Sequence, residues 1–179
     1  LYDYLGQGES SKDDVPYLIP EFARYLQLIM DEVGVDKLHL MGISYGGFIS
    51  LDFARLYPER LHTLVLSGIL LSHEKLFQLY QDISLRFYRS TEEVFDLYTQ
   101  YMYEKIFGEA FAAAIPPEQF EAMRQRFYDR YVDQRHCLIR LTEIDTFHLL
   151  SRKTEITKLS IIIRRCENGQ QIRNHDPRN

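Results

Sequence analysis

The sequence predicts an α/β chain, a partial doubly wound parallel sheet with an inserted block of α-helices. Three observations carry this. Two short apolar runs, 37–43 and 61–66, are separated by a helix-like run. Strands that are apolar throughout and alternate with helices belong to parallel sheets covered on both faces. A Gly-x-Ser-x-Gly stretch stands where the first run meets that helix, and about eighty residues after Leu71 show helical spacing without a strand signal.

Composition narrows the class. With 179 residues the chain is long enough for one ordinary core. It is 45% hydrophobic and 26% charged, which is globular composition. The formal charge of -5 offers no basic patch, so nucleic acid is not an expected partner. Two cysteines, Cys137 and Cys166, form neither a disulfide framework nor a metal spacing. A cytoplasmic setting is expected, with no metal and no cofactor. No run of 18 apolar residues exists, so no membrane span is expected. The first residue is Leu1, in what reads as the end of a strand, and this predicts that an N-terminal portion is missing.

The segment from Asp3 to Ser11 is loop-like, with Gly6, Gly8 and several small polar residues. Its Gly-x-Gly pair lacks the third glycine and following helix of a dinucleotide fingerprint. Pro16 and Pro20 lead into a helix from about Glu21 to Val33. Phe22, Tyr25, Leu26, Ile29, Met30 and Val33 fall on one face of it, and Gly34 stops it.

The strand ending at Ile43 then meets Gly42-Ile43-Ser44-Tyr45-Gly46-Gly47. Strand, sharp turn with a central serine, helix: this is the setting of a nucleophile elbow. A strained backbone lifts the serine hydroxyl clear of the strand end. Side chains two positions before and after would collide, so Gly42 and Gly46 remove them. Gly47 lets the helix approach the sheet. The Tyr45 amide opens the helix, where unpaired N–H groups and the macrodipole favour an oxyanion. The helix is expected to bury Phe48, Leu51 and Leu56, with Pro58 ending it before the second strand.

In the helical block, Leu76, Tyr80, Ile83 and Phe87 step by four, three and four. Ser90-Thr91-Glu92-Glu93 has the form of a capping box. Behind it either Val94, Leu97 and Tyr101 or Phe95, Tyr98 and Met102 line a helix. Pro116-Pro117 opens another, with Phe120, Met123, Phe127 and Tyr131 in register, and 138–150 forms a fourth. These aromatic stripes read as core, and the block as a lid that brings apolar surface to a substrate. A last strand is expected around Leu159–Ile163, followed by a polar tail without a core face.

The order of these pieces resembles the α/β-hydrolase superfamily. The matching residues are Asp3-x-x-Gly6-x-Gly8-x-Ser10, the elbow Gly42-x-Ser44-x-Gly46-Gly47, and Tyr57-Pro58-Glu59-Arg60 before the second strand. The resemblance implies a hydrolase core fragment at 1–70, a helical cap at 71–155 and one core strand with a poorly ordered tail at 156–179. It implies Ser44 as nucleophile and the Tyr45 amide as half of an oxyanion hole. It also implies a second oxyanion amide upstream, an acid after the strand that follows the cap, and a later histidine. Gly169 stands where the acid belongs, and the chain stops at Asn179.

None of the six histidines is expected to substitute. His39 and His62 sit in strands, His136 and His148 in the cap, and His175-Asp176 in the tail; His73 lies just after the second strand. Asp145 precedes His148 by three residues, which places them on one side of a helix. Without a base the serine stays a weak nucleophile. The expected function is therefore serine hydrolysis of an ester, lactone or similar small apolar acyl compound in the parent protein, with this chain inactive or nearly so. Acyl transfer on the same fold and a non-catalytic, hydrolase-like binding protein are the rivals. Haloalkane chemistry is disfavoured because it needs an aspartate where Ser44 stands. The sequence leaves the oligomeric state open.

Overall fold

The computed structural model describes residues 1–13, 15, 17–69 and 75–143, with the backbone of 161–164. The expectations placed on Pro16, His73, Asp145, His148, Cys166, Gly169 and His175-Asp176 lie outside the described residues. The chain divides into two compact units, Leu18–His73 with Asp145–Asn179, and Leu1–Tyr17 with Glu74–Ile144.

The first of these units contains helix α1 (Ile19–Glu32), strand β1 (Leu38–Ile43), helix α2 (Tyr45–Leu56), a 3-10 turn (Pro58–Arg60), strand β2 (Leu61–Ser67) and strand β3 (Ile161–Arg164). The sheet order is β1-β2-β3 and both pairings are parallel. Pro20 sits in the first turn of α1, where its missing N–H costs nothing. At the other end Gly34 has φ +69; its N–H donates to Asp31 O at 3.1 Å, and Val35 N–H donates to Met30 O at 2.8 Å. That is a Schellman stop, and it needs a residue that tolerates the left-handed region.

The Pro-Glu-Arg turn has a structural reason. Arg60 Nε donates to Asp36 O at 2.6 Å, while its other nitrogen reaches Asp31 Oδ1 at 2.8 Å and Val35 O at 2.9 Å. One guanidinium fork thus ties the start of β2 to the α1–β1 turn.

Helix α2 packs on β1 and β2, and α1 packs on α2. Leu64 and Leu66 of β2 are fully buried, as are Phe22 and Ala23 of α1 and Phe53 of α2. The expected buried face of α2 needs correction. Phe48, Ile49, Phe53 and Ala54 are buried, with Ser50 and Asp52, whereas Leu56 is exposed. A helix held between a sheet and another helix buries more than one stripe. Asp52 enters this interior paired with Arg55, Nε to Oδ1 at 2.6 Å.

The other unit holds α3 (Lys75–Tyr88), α4 (Glu92–Ile106), α5 (Glu109–Ala114), α6 (Pro117–Tyr131) and α7 (Arg135–Glu143). The short α5 had no clear signal in the sequence. Of the two candidate faces of α4, the second is inside: Phe95 and Tyr98 are buried among Tyr131, Leu138, Phe87, Tyr88, Phe127 and Met102. Phe87 stacks on Tyr98 at 4.6 Å. The cap of α4 is Thr91, whose Oγ1 accepts from Val94 N–H at 3.4 Å, one residue later than the expected box. Ser90 Oγ instead donates to Phe87 O at 2.6 Å. The α3 stripe is a further correction: Leu76, Tyr80 and Ile83 are exposed, so they are not core.

Arg124 fastens α6 to α4. Its NH1 lies 2.5 Å from Asp96 Oδ1 and 3.0 Å from Thr99 Oγ1, and its Nε reaches both Glu121 oxygens. The hydrogen bonds from Arg124 hold the Glu121 carboxyl below its ordinary pKa. A lowered folded-state pKa means that this contribution is complete above the unfolded value of about 4.5. It is lost as pH falls through the lowered value. Glu121→Gln should therefore flatten the acid limb of the stability curve below about pH 4.5 and leave its shape at neutral pH unchanged. Urea midpoints measured from pH 3 to 7 check this.

The glycine-rich loop belongs to the helical unit. The Asp3 carboxylate accepts from Glu9 N–H at 3.0 Å and occupies the space that a Cβ at Gly8 would need. Gly6 and Gly8 both have positive φ. A Cβ at Gly6 would stand 2.5 Å from the Tyr17 ring. Lys12 Nζ donates to Gly8 O at 2.8 Å, closing the loop on itself. Tyr131 OH then donates to Gln7 Oε1 at 2.9 Å, and Arg130 pairs with Glu9 at 3.0 Å, which docks the loop on α6.

Candidate active site

The site is the junction of β1 and α2. Ser44 is the residue between them, at φ 51 and ψ −123, and it is the one described non-glycine residue with positive φ. A Cβ in that region is strained, and such strain persists only where the surroundings over-determine it. Here two backbone bonds do so. Ser44 N–H donates to Ser67 O at 2.8 Å, fastening the bend to the end of β2, and Gly47 N–H donates to Ser44 O at 2.9 Å, starting the helix. Ser44 is exposed while Gly42 beneath it is buried, so the hydroxyl side of the bend faces outward from a packed base.

The glycines divide the work unevenly. A Cβ at Gly42 would lie 2.5 Å from Ser50 Oγ, 2.6 Å from Gly46 O and 2.7 Å from Gly47 Cα. Ser50 Oγ is itself held, donating to Gly46 O at 2.7 Å. A Cβ at Gly47 would overlap the Cγ2 methyl of Ile69, just beyond β2. At Gly46 the expected collision is absent: no described atom lies within 4 Å of a built Cβ. Gly46 already lies inside α2, on a side that neither the strand nor Ser50 approaches, whereas Gly42 points its Cβ direction into the first turn. The role of Gly47 was read from the sequence as close helix–sheet packing, and Ile69 was the partner no spacing rule could name.

Tyr45 is the first residue of α2, and its ring meets Phe22 and Phe48 edge-on, with centroids 6.5 Å away in each case. The Phe22 contact holds the helix start against α1, and Tyr45 opens the first turn of α2. His39 and His62 are remote from Ser44. His39 pairs with Thr63 at the opening of both strands, five residues before Ser44, and Ser44 follows their far end. At about 3.3 Å per residue that is roughly 16 Å. His136 belongs to the other unit, where its Nε2 lies 3.2 Å from Lys12 O and 3.4 Å from Cys137 Sγ. Among the described residues no group of three or more His, Cys, Asp or Glu side chains is arranged to hold a metal ion. No described helix is long and apolar enough to cross a membrane.

A parallel sheet, a serine at positive φ between strand and helix, and glycines where the turn is crowded define a hydrolase-type α/β domain. The chain belongs to the family described as alpha/beta hydrolase fold, whose pattern it matches over residues 1–135. It is 38% identical over 90 residues to 2-hydroxy-6-oxo-6-phenylhexa-2,4-dienoate hydrolase of Comamonas testosteroni, covering 44% of this chain and 31% of that protein. It is 35% identical over 77 residues to the proline iminopeptidase of Lactobacillus delbrueckii subsp. bulgaricus, covering 40% of this chain and 26% of that one. Among solved structures, a thermophilic esterase from Thermogutta terrifontis superposes with TM-score 0.63 at 19% identity, over 90% of this chain and 58% of the other. The chain thus spans less than two thirds of the proteins it matches. At that identity the structural likeness speaks for the fold alone.

Proposed function

We propose that this chain carries the nucleophile of a serine hydrolase acting on an ester, lactone or similar small apolar acyl compound. The observation that supports it most is Ser44, exposed and held at φ 51 on the strand-to-helix bend. In this reading Ser44 Oγ attacks the acyl carbon and the Tyr45 amide donates to the oxyanion. The leaving group departs with the proton that Ser44 Oγ gives up, and water then adds to the acyl carbon, releasing the acid and returning a proton to Ser44 Oγ. Hydrolase names recur among the relatives, which supports water over an acceptor hydroxyl. The helical unit from Lys75 onward is read as the cap, its aromatic content suiting an apolar acyl group. A cytoplasmic setting fits two cysteines without a disulfide framework.

We further propose that the chain by itself is inactive or nearly so. The strand histidines lie too far away to act as base, and a serine without a base reacts slowly at neutral pH. Incubation with a fluorophosphonate probe should leave Ser44 unlabelled within an hour. Addition of imidazole at tens of millimolar, as a diffusible base, should produce labelling that maps to Ser44 and is missing in Ser44→Ala. Rapid labelling at Ser44 without imidazole would overturn the inactivity. Imidazole-dependent labelling that persists in Ser44→Ala would overturn the nucleophile assignment.

A further inference from the structure

At the end of the sheet opposite Ser44, the register of β1 and β2 slips. Leu38 pairs with Leu61 but His39 pairs with Thr63, so His62 is an extra residue in β2. Bulges re-aim side chains, and here the result is two adjacent imidazoles. The rings of His39 and His62 lie 5.0 Å apart at 33°, and both residues are exposed. We propose that His39 and His62 form a surface site for a divalent first-row transition metal, with Thr63 as the outer partner that orients His39.

The spacing suits a shared ion. Zinc–nitrogen bonds are about 2.1 Å, and a ring nitrogen is about 1.1 Å from its centroid. A centroid separation of 5.0 Å then subtends about 100° at the ion, near the tetrahedral and square values that zinc and copper adopt. His39 Nδ1 lies 2.9 Å from Thr63 Oγ1. When Nδ1–H donates to that hydroxyl, Nε2 keeps its lone pair for the metal, which is the usual outer-partner arrangement of a ligating histidine. Of the cations nearby in sequence, Arg60 already has its charge matched. Arg60 is turned away into the α1–β1 turn and is paired with Asp31 at 2.8 Å. Two imidazoles leave the remaining positions to water, so the site is open and its preference is for nitrogen-seeking ions over magnesium or calcium.

The test is calorimetric titration of the full chain with zinc chloride, and separately with copper chloride, in a non-chelating buffer. One stoichiometric site is expected. His39→Ala and His62→Gln should each weaken it at least tenfold. Thr63→Val, which leaves both imidazoles in place, should weaken it about tenfold, as loss of an outer partner does. His136→Ala, a change in the other unit at a residue outside the pair, should leave it unchanged. Both histidines are exposed, so melting temperatures without metal should match the parent chain. Retention of the site in either His39→Ala or His62→Gln would overturn the proposal, as would the absence of any stoichiometric site in the parent chain.

Discussion

Gly42→Ala is expected to destabilise the fold by about 3 kcal/mol or more, while Gly46→Ala is expected to be neutral or to stabilise it by about 0.5 kcal/mol. The two glycines stand symmetrically about Ser44 in sequence, and a motif treats them as equals. Their surroundings do not. The methyl added at Gly42 meets Ser50 Oγ, Gly46 O and Gly47 Cα at 2.5 to 2.7 Å. Two of those atoms are backbone in the first turn of α2, so relief requires the helix to move off the strand. Gly42 is buried, so no solvent-side relaxation exists. Overpacking of this kind commonly costs about 1–3 kcal/mol, and a clash with backbone belongs at the upper end or beyond. Against a total stability of about 5–15 kcal/mol that is a large loss. Gly46 occupies the second position of α2 with an open Cβ direction. Alanine there loses less backbone entropy on folding than glycine does. Urea denaturation of the two variants in parallel gives the comparison. Equal destabilisation by both would mean that the crowding at the bend is not where the geometry places it.

That asymmetry marks how far the sequence could be read. The elements themselves were legible because their signals are local. Pro20 and Gly34 bracket α1, Ser44 and Pro58 bracket α2, and Pro117 opens α6, each through backbone chemistry that needs no knowledge of the rest of the chain. The elbow was legible for the same reason. Burial was less so, because periodicity identifies a stripe without saying what covers it. The Leu76, Tyr80, Ile83 stripe has the spacing of a core face and stays exposed, while α2 is wrapped by two neighbours and buries Ser50 and Asp52 with its apolar residues.

The least legible features depend on residues far apart in the chain. The glycine loop docks on α6 and α7 through Gln7–Tyr131, Glu9–Arg130 and the Lys12 carbonyl with His136, polar contacts with no periodic trace. His39 and His62 were both read as strand residues, and their meeting follows from a one-residue slip in pairing that no property of either strand announces. The absence of a collision at Gly46 belongs here too. The motif specifies a glycine, but whether its space is filled is decided by elements packed around the bend.

Ser44→Gly should raise stability by about 1 kcal/mol, and Ser44→Ala should leave it nearly unchanged. The serine is held at φ 51 and ψ −123, where a Cβ of any kind is strained at a cost of about 1–3 kcal/mol. Alanine keeps that Cβ and removes only an exposed hydroxyl, so the strain remains. Glycine removes the Cβ and releases the strain, offset by about 0.5–1 kcal/mol of extra freedom in the unfolded chain. The bonds that impose the bend, Ser44 N–H to Ser67 O and Gly47 N–H to Ser44 O, are backbone bonds and survive both changes. The expected order of urea midpoints is therefore glycine above serine, with alanine close to serine. An order with alanine and glycine equal would mean that the bend is relaxed and the hydroxyl is not being held out against a conformational cost. The predicted order instead ties the strain to the Cβ that carries the Ser44 hydroxyl. A residue without that Cβ fits the bend better, so a serine there holds the fold below its attainable stability.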